Sequence, residues 1–412
     1  MKIAVVGSGI SGLAAARLLS RRHATTLFEA ASRLGGHANT VDVTLGGLSH
    51  PVDTGFLVYN RATYPGLVRL FEELGVASAP SEMSFSVSLQ SPAIEWAGTS
   101  LDAVFAQRSN LLRPAFLRML RDVLRFNREA PATSGASTLG EFLARGRYSS
   151  EFRDWYLLPM AAAIWSCPTR AMLDYPFASF ARFFQNHGLL QLADRPQWYT
   201  VRGGSRRYVE AIARGLADVR LSTPVRRLRR ERAQAWVNGE RFDAIVLACH
   251  SDQALALLGA EASPAERAVL SAIPYQKNRA LLHTDTKLLP KNPRVWSAWN
   301  YAAGADAPQG RPVSVHYLIN KLQPLPFAQP VIVSLNPHRE PDASRVIGEF
   351  DYDHPVFGAG AAAAQARLPE IQGARSTWYC GAWTRYGFHE DGFGSALEVA
   401  RALDVEPLRQ AA

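Results

Sequence analysis

Cysteine is scarce in this chain: Cys167, Cys249 and Cys380 are the only three in 412 residues. They are too few for a disulfide framework and lack the spacing of a metal site, which excludes a small cross-linked scaffold and points to a reducing, cytoplasmic setting. Long apolar runs are missing as well. No stretch approaches the ~18 residues that span a bilayer. The run Ile3-Ala4-Val5-Val6 is too short for a signal peptide, so the chain is expected to begin inside its fold. Repeats and low-complexity tracts are absent. Acidic residues are the minority charge, 36 against 45 basic, a net +9. That balance suits an acidic cofactor, an anionic lipid surface or simple solubility, and no nucleic-acid partner is expected. What is present is core-forming material, 47% hydrophobic over a length that suggests two or three structural units.

Lys2–Val6 reads as a buried parallel strand, Gly7-Ser8-Gly9-Ile10-Ser11-Gly12 as a turn, Leu13–Arg22 as a helix and Ala24–Glu29 as a second strand. Glycines at 7, 9 and 12 form G-x-G-x-x-G in the strand–turn–helix context that a dinucleotide site requires. Gly7 permits the sharp turn, Gly9 the approach of backbone to a pyrophosphate, and Gly12 close packing of helix on strand. The helix N-terminus then offers free N–H groups to phosphate. Glu29 ends the second strand where a carboxylate would accept ribose hydroxyls, favouring FAD or NAD over a phosphorylated ribose.

Helical patterns dominate from about 101 to 191, over Leu111–Arg128, Leu139–Leu143, Glu151–Trp165 and Phe177–Leu192, with an exposed loop over Ala130–Ser137. Phe242–Cys249 reads as another buried strand, and Ala280–His283, Val313–Ile319 and Val331–Leu335 as an antiparallel sheet. Thr377–Leu403 reads strand, glycine-rich turn, helix. The expected fold is α/β, with two domains that the chain visits alternately.

Ala31-Ser32-Arg33-Leu34-Gly35-Gly36 follows Glu29 and supplies an arginine beside two glycines, suited to pyrophosphate. Asp53-Thr54-Gly55-Phe56 adds a tight turn. With these motifs the chain resembles the FAD-dependent amine oxidase, protoporphyrinogen oxidase and phytoene desaturase superfamily. Val201-Arg202-Gly203-Gly204-Ser205, Thr223-Pro224-Val225, Asp243–Ala248, Tyr379–Trp383 and Gly387–Gly392 extend the likeness in order along the chain. The resemblance implies bound, non-covalent FAD and a discontinuous Rossmann-like FAD-binding domain (1–85, 200–272, 376–412) beside a mixed helix-and-antiparallel-sheet substrate domain (86–199, 273–375). It implies cofactor contacts from Gly7, Gly9, Ile10, Ser11, Gly12, Glu29, Ala30, Arg33, Gly35, Gly36, His37, Gly55, Phe56, Leu57, Val225, Gly381, Glu390, Asp391 and Gly392. Two departures stand out. Ala382 and Trp383 occupy positions where the superfamily usually carries an acid, and the lysine that amine oxidases place near the flavin has only Lys277 and Arg279 as local candidates.

Trp296–Tyr301, Val315–Gln323, His354-Pro355 and Gly387–Gly392 are similar to a bacterial subgroup that accompanies cyclopropane-fatty-acid-synthase-like methyltransferases. That likeness implies a fatty acyl substrate, oxidised or desaturated by hydride transfer to flavin, and a lipid methyltransferase as candidate partner. An amine oxidase, or a FAD-binding protein that assists a methyltransferase without turnover, remain the other two readings.

Among single residues, Tyr317 and His316 share a strand, so alternation directs only one to the flavin, and Tyr317 is the candidate catalytic residue. Cys249-His250 is rejected as a nucleophile pair because neighbours on a strand face opposite ways. His389, Glu390 and Asp391 are read as helix-capping and flavin-contacting rather than acid/base. Of Trp155, Tyr156, Ile164, Trp165 and Phe177, most are expected in the core and one or two in a pocket. Arginines 108, 113, 118, 121, 125 and 128 alternate with leucines and Phe116, a pattern of either a surface helix or a peripheral contact with the inner membrane face.

Overall fold

The computed structural model describes residues 1–132, 135, 137–191, 194–231, 234–304 and 312–405. Parts of two expected elements therefore fall outside the described residues, 133, 134 and 136 of the loop and Leu192 at the end of a helix, as do 193, 232–233, 305–311 and 406–412 of the expected domain segments.

Five short parallel strands form one sheet: β1 (Lys2–Val6), β2 (Ala24–Phe28), β3 (Asp218–Arg220), β4 (Ala244–Leu247) and β5 (Thr377–Tyr379), in the order β3-β2-β1-β4-β5. β1 is central, with Ile3 opposite Ala244 on one side and Thr25 on the other. Nearly every residue of β1, β2 and β4 is buried, as a sheet covered on both faces demands. Helix α1 (Ile10–Leu19) leaves the β1 turn and is also buried almost throughout, clamped between the sheet and the helix His389–Ala402. Gly392 makes that clamp possible: a Cβ there would lie 2.7 Å from Ser11 Oγ and 2.9 Å from Ile10 Cγ2.

A second, seven-stranded sheet runs in the order Val346–Asp351, Arg279–His283, Ile332–Leu335, Val315–Leu318, Trp299–Ala303, Phe85–Gln90, Ala93–Ala97. It is antiparallel except where Trp299–Ala303 lies parallel to Phe85–Gln90. The antiparallel sheet expected over 280–335 is thus present and is widened by a hairpin contributed from 85–97. Helices α2 (Pro65–Leu74) and α3 (Pro114–Glu129) each start on a proline, whose missing N–H costs nothing at a helix N-terminus.

Two expectations change. Phe177–Asn186 ends earlier than the helical pattern suggested, because Gly188 adopts φ +66° and turns the chain. Thr223–Val225, which resembles a strand of the superfamily that meets the adenine, is not a strand here: Thr223 N–H donates to Glu29 O, and Asn238 holds the Arg226 and Arg227 N–H groups in an irregular loop.

Candidate flavin and substrate cavity

The strands of the parallel sheet end at a cavity of about 1190 Å³ whose walls come from both sheets and from the helices between them. Its location, beyond the carboxyl ends of β1, β2 and β4, is where open α/β sheets bind ligands.

One end is built of turns. Gly7 (φ +101°) bends away from β1 and its N–H donates to Phe28 O at 2.8 Å. Gly35 N–H donates to Ser8 O at 3.0 Å, and Gly36 lies so close that its Cβ would sit 3.2 Å from Gly9 Cα. The two glycine turns therefore form one surface. Gly9 itself has nothing within 4 Å of the position its Cβ would take, open space on the cavity side. Glu29 accepts from Ser8 N–H (2.9 Å), Ser8 Oγ and Ala31 N–H (2.8 Å) and still borders the cavity, with acceptor capacity to spare.

Of the residues expected to contact the cofactor, Gly7, Gly9, Ile10, Ser11, Glu29, Ala30, Gly35, Gly36, His37, Gly55, Phe56, Leu57, Val225 and Gly381 line this cavity. Five stand behind it. Gly12 faces the β1 turn, where a Cβ would come 1.8 Å from Gly7 O, so its contribution is packing. Arg33 is turned onto its own loop, with Nη2 donating to Gly36 O at 3.0 Å. Glu390 accepts from Gly66 N–H (2.7 Å) and Leu67 N–H (2.9 Å), capping α2 rather than its own helix. Asp391 caps its own helix through Phe388 N–H at 3.0 Å, and burial pushes its carboxyl up to about 6. Gly392 is the contact point with α1 described above.

Three histidines share the wall between the two sheets: His37 lies 5.1 Å from His354 and 6.3 Å from His250, ring centre to ring centre. His37 Nε2 and His250 Nδ1 are buried without a partner among the described residues, as is Trp299 Nε1 farther along. Unpartnered polar atoms around a cavity are what a chain leaves for a bound group. Cys249 and His250 both border the cavity after all, because β4 ends at Leu247 and strand alternation no longer applies. Burial lifts the Cys249 thiol to about 12, so it remains unreactive. Cys380 is buried and does not line the cavity.

The other end is apolar. Met83, Phe85, Met160, Ile164, Phe183, Leu189, Trp299, Tyr317, Val333 and Leu335 form it. Tyr317 packs edge-on to Trp299 at 4.9 Å, and burial holds its phenol well above the usual range, hence neutral. His316 turns to the opposite face of the sheet, where Ser334 Oγ lies 2.7 Å from both His316 Nδ1 and His283 Nε2. His187, a residue the sequence did not single out, stacks on Phe183 at 3.9 Å with Nδ1 2.9 Å from Phe183 O. Nδ1–H donates there, leaving Nε2 as a proton acceptor. Of Trp155, Tyr156, Ile164, Trp165 and Phe177, only Ile164 reaches the wall. Lys277 and Arg279 are not part of it; Arg279 pairs with Glu340 and Glu349, each at 2.7 Å.

Buried histidines give the protein a definite acid response. Burial is the leading cause in each case and holds His389 and His316 down to about 3 and His354 and His283 to about 4. Unfolded histidine takes its proton near pH 6.5, so this stability is complete above that value and is lost as pH falls towards the folded values, at about 1.4 kcal/mol per histidine per pH unit. Asp53 and Asp391, lifted by burial to about 6, act oppositely: folded carboxyls protonate first and recover stability between about pH 6 and 4. Four histidines outweigh two aspartates. The melting temperature is expected to be level above pH 6.5 and to fall steeply below it, and circular dichroism melts across that range check this.

A sequence profile of the family described as flavin containing amine oxidoreductase matches residues 10–313. The Mycobacterium tuberculosis protein named "putative flavin-containing monoamine oxidase AofH" is 30% identical over 259 residues, 59% of this chain and 54% of that protein. The chain thus spans about half the length of the curated relatives it matches. Among solved structures, a fatty acid isomerase from P. acnes that produces CLA superposes with TM-score 0.68 at 16% identity, covering 97% of this chain and 98% of that one. Cyclohexylamine oxidase from Brevibacterium oxydans superposes with TM-score 0.67 at 17% identity, covering 98% and 99%. At such identities the likeness is one of fold.

Proposed function

Because the chain belongs to the flavin containing amine oxidoreductase family, we propose that it is an FAD-dependent oxidoreductase that oxidises or desaturates a fatty acyl chain. The observation that carries this reading is the apolar part of the cavity wall, ten aliphatic, thioether or aromatic side chains. A free carboxylate at that end would have favoured an alkylammonium substrate. Glu82, the acid at that end, is already engaged by Lys321 at 2.9 and 3.0 Å and by Ser84 Oγ at 2.6 Å.

The residues at the turn end fit FAD: Gly7, Gly9 and the N-terminus of α1 for the pyrophosphate, Glu29 for the ribose, Gly35 and Gly36 against the same stretch, and the orphaned His37 and His250 nitrogens as further partners. Bound FAD supplies acceptance of a hydride from a substrate C–H. The chain supplies the rest. Phe85, Met160, Ile164, Phe183 and Trp299 enclose hydrocarbon and exclude water. Tyr317, neutral, is a hydrogen-bond donor, and His187 Nε2, on the same cavity wall, would take the proton that accompanies hydride loss. The same reading puts the enzyme in the cytoplasm with a lipid methyltransferase acting on the same acyl chain.

Arg195 is the cation at the apolar end, beside Gln197, whose Nε2 donates to Ser81 O at 3.0 Å. It is the natural partner of an acyl carboxylate or phosphate, so Arg195→Ala should raise KM roughly tenfold or more with little change in kcat, the loss of one charge-assisted hydrogen bond. The reading itself is tested by anaerobic bleaching of the flavin spectrum with extracted phospholipids and free fatty acids, followed by mass spectrometry of the lipid. Bleaching by amines, with none by lipids, would assign the protein to amine oxidation, the reading that its relatives' names favour.

A further inference from the structure

Nine large apolar side chains are well exposed among the described residues, and five of them, Leu101, Leu111, Leu112, Leu117 and Leu124, lie between residues 101 and 124. The concentration centres on α3. Its inner face packs Phe116, Met119, Val123 and Phe126 into the core. Pro114, Leu117, Arg121, Leu124 and Arg128 follow at intervals of three and four on one outer stripe, all exposed. Leu112, 89% exposed, extends that stripe just ahead of the helix.

The charges of this face are of one sign. Arg121 and Arg128 have 69% and 80% of their side-chain surface in solvent. Acids nearby are turned inward or occupied. Asp122 is buried, accepting Ser149 N–H at 2.9 Å and touching Arg121 at 3.3 Å. Glu129 is held by Arg125 and Tyr148, at 3.0 and 2.8 Å, and lies 3.8 Å from Arg128, and Glu151 pairs with Arg118.

We propose that the outer stripe of α3 is a docking surface for an anionic lipid bilayer. The helix lies along the membrane with Leu112, Leu117 and Leu124 in the headgroup–acyl boundary and Arg121 and Arg128 among the phosphates. Sixteen residues carrying four arginines cannot cross a bilayer but suit its surface, where arginine stems lie in the apolar layer and guanidiniums reach water. The alternation of leucine with arginine fits lipid better than a folded partner. A protein would have to oppose each guanidinium with a fixed carboxylate inside an apolar contact, whereas anionic lipids move laterally to meet it. This inference is independent of the substrate reading, since none of the residues of the stripe lines the cavity.

The test is co-sedimentation of the FAD-loaded protein with vesicles of phosphatidylcholine, with and without phosphatidylserine. The wild-type protein should pellet with the anionic vesicles and be released by high salt. Arg121→Glu/Arg128→Glu should weaken that binding by roughly tenfold or more, and Leu117→Ser/Leu124→Ser should weaken it as well. Both variants alter exposed side chains and should keep their flavin absorbance and melting temperature. Wild-type protein that stays in the supernatant, or binding that neither variant reduces, overturns the proposal. So does a gel-filtration shift to a smaller species in the leucine variant without vesicle binding by the wild type, which would assign the stripe to a second copy of the chain.

Discussion

Gly12→Ala is expected to yield a destabilised, colourless protein, whereas Gly9→Ala should fold normally and still lose most of its flavin. The two glycines are three residues apart in one motif but face opposite ways. A Cβ on Gly12 would stand 1.8 Å from Gly7 O and 3.2 Å from Ala248 Cβ, so α1 must lift off the strand or the β1 turn must open. Either movement disrupts the centre of the parallel sheet, at about 3 kcal/mol or more. Gly9 has φ −62° and ψ 178°, which alanine adopts without strain, and its Cβ would meet no protein atom within 4 Å. The methyl group would instead take up space in the cavity, and FAD affinity should drop roughly tenfold to a hundredfold. The ratio of flavin to protein absorbance, with the melting temperature of the flavin-free form, separates the two effects. A yellow Gly12→Ala protein of unchanged stability would show that the strand–helix contact is not needed.

Arg230→Met should cost about 3–5 kcal/mol of stability, the price of leaving a buried carboxylate without its cation. Arg230 and Glu266 are both buried and meet through two hydrogen bonds, Nη1 to Oε1 at 2.6 Å and Nη2 to Oε2 at 2.9 Å. Tyr379 OH donates to Glu266 at 2.5 Å, Ser263 N–H at 2.8 Å, and Arg230 reaches Glu261 O at 2.8 Å. Burial alone would raise the Glu266 carboxyl; the Arg230, Tyr379 and Ser263 hydrogen bonds overcome it and hold the group near 2. The pair joins the strand Leu228–Arg230, the helix Pro264–Leu270 and β5, three segments far apart in the chain. A melting temperature lower by roughly 5 °C is expected from a loss of this size. Arg230→Met combined with Glu266→Leu should recover much of it, because the double change removes both charges. If the single variant melts like the wild type, the carboxylate is reached by water and the network is not closed.

The local features of the nucleotide end could be read from sequence because backbone geometry enforces them. A strand followed by Gly7, Gly9 and Gly12 leaves few conformations, and the cavity forms at that turn. Alternation likewise puts Tyr317 on the cavity wall and His316 on the opposite face, since both lie inside one strand. The same rule does not reach Cys249-His250, which lie past the end of β4. Glu390 is a different case. Its position at the start of a helix suggests a local cap or a ligand contact, yet the N–H groups it accepts belong to Gly66 and Leu67, more than 300 residues earlier. Only the tertiary fold brings them together. Met160 with Ile164 and Phe183 with His187 each stand one helical turn apart, a spacing equally suited to core and to cavity wall. Periodicity identifies a shared face but not what that face meets.

The central sheet takes β1 and β2 from the first thirty residues, β3 and β4 from the middle and β5 from beyond residue 376. During synthesis, then, Ile245–Leu247 presents an unpaired strand edge while about 130 further residues are made. At about 5–20 residues per second that interval is on the order of ten seconds. A nascent chain on the ribosome holds the Gly7–Gly12 turn long before Gly381 exists, so flavin can be enclosed only after Gly381 has been made. Until then the exposed edge is a place for a chaperone to bind and for two unfinished chains to pair.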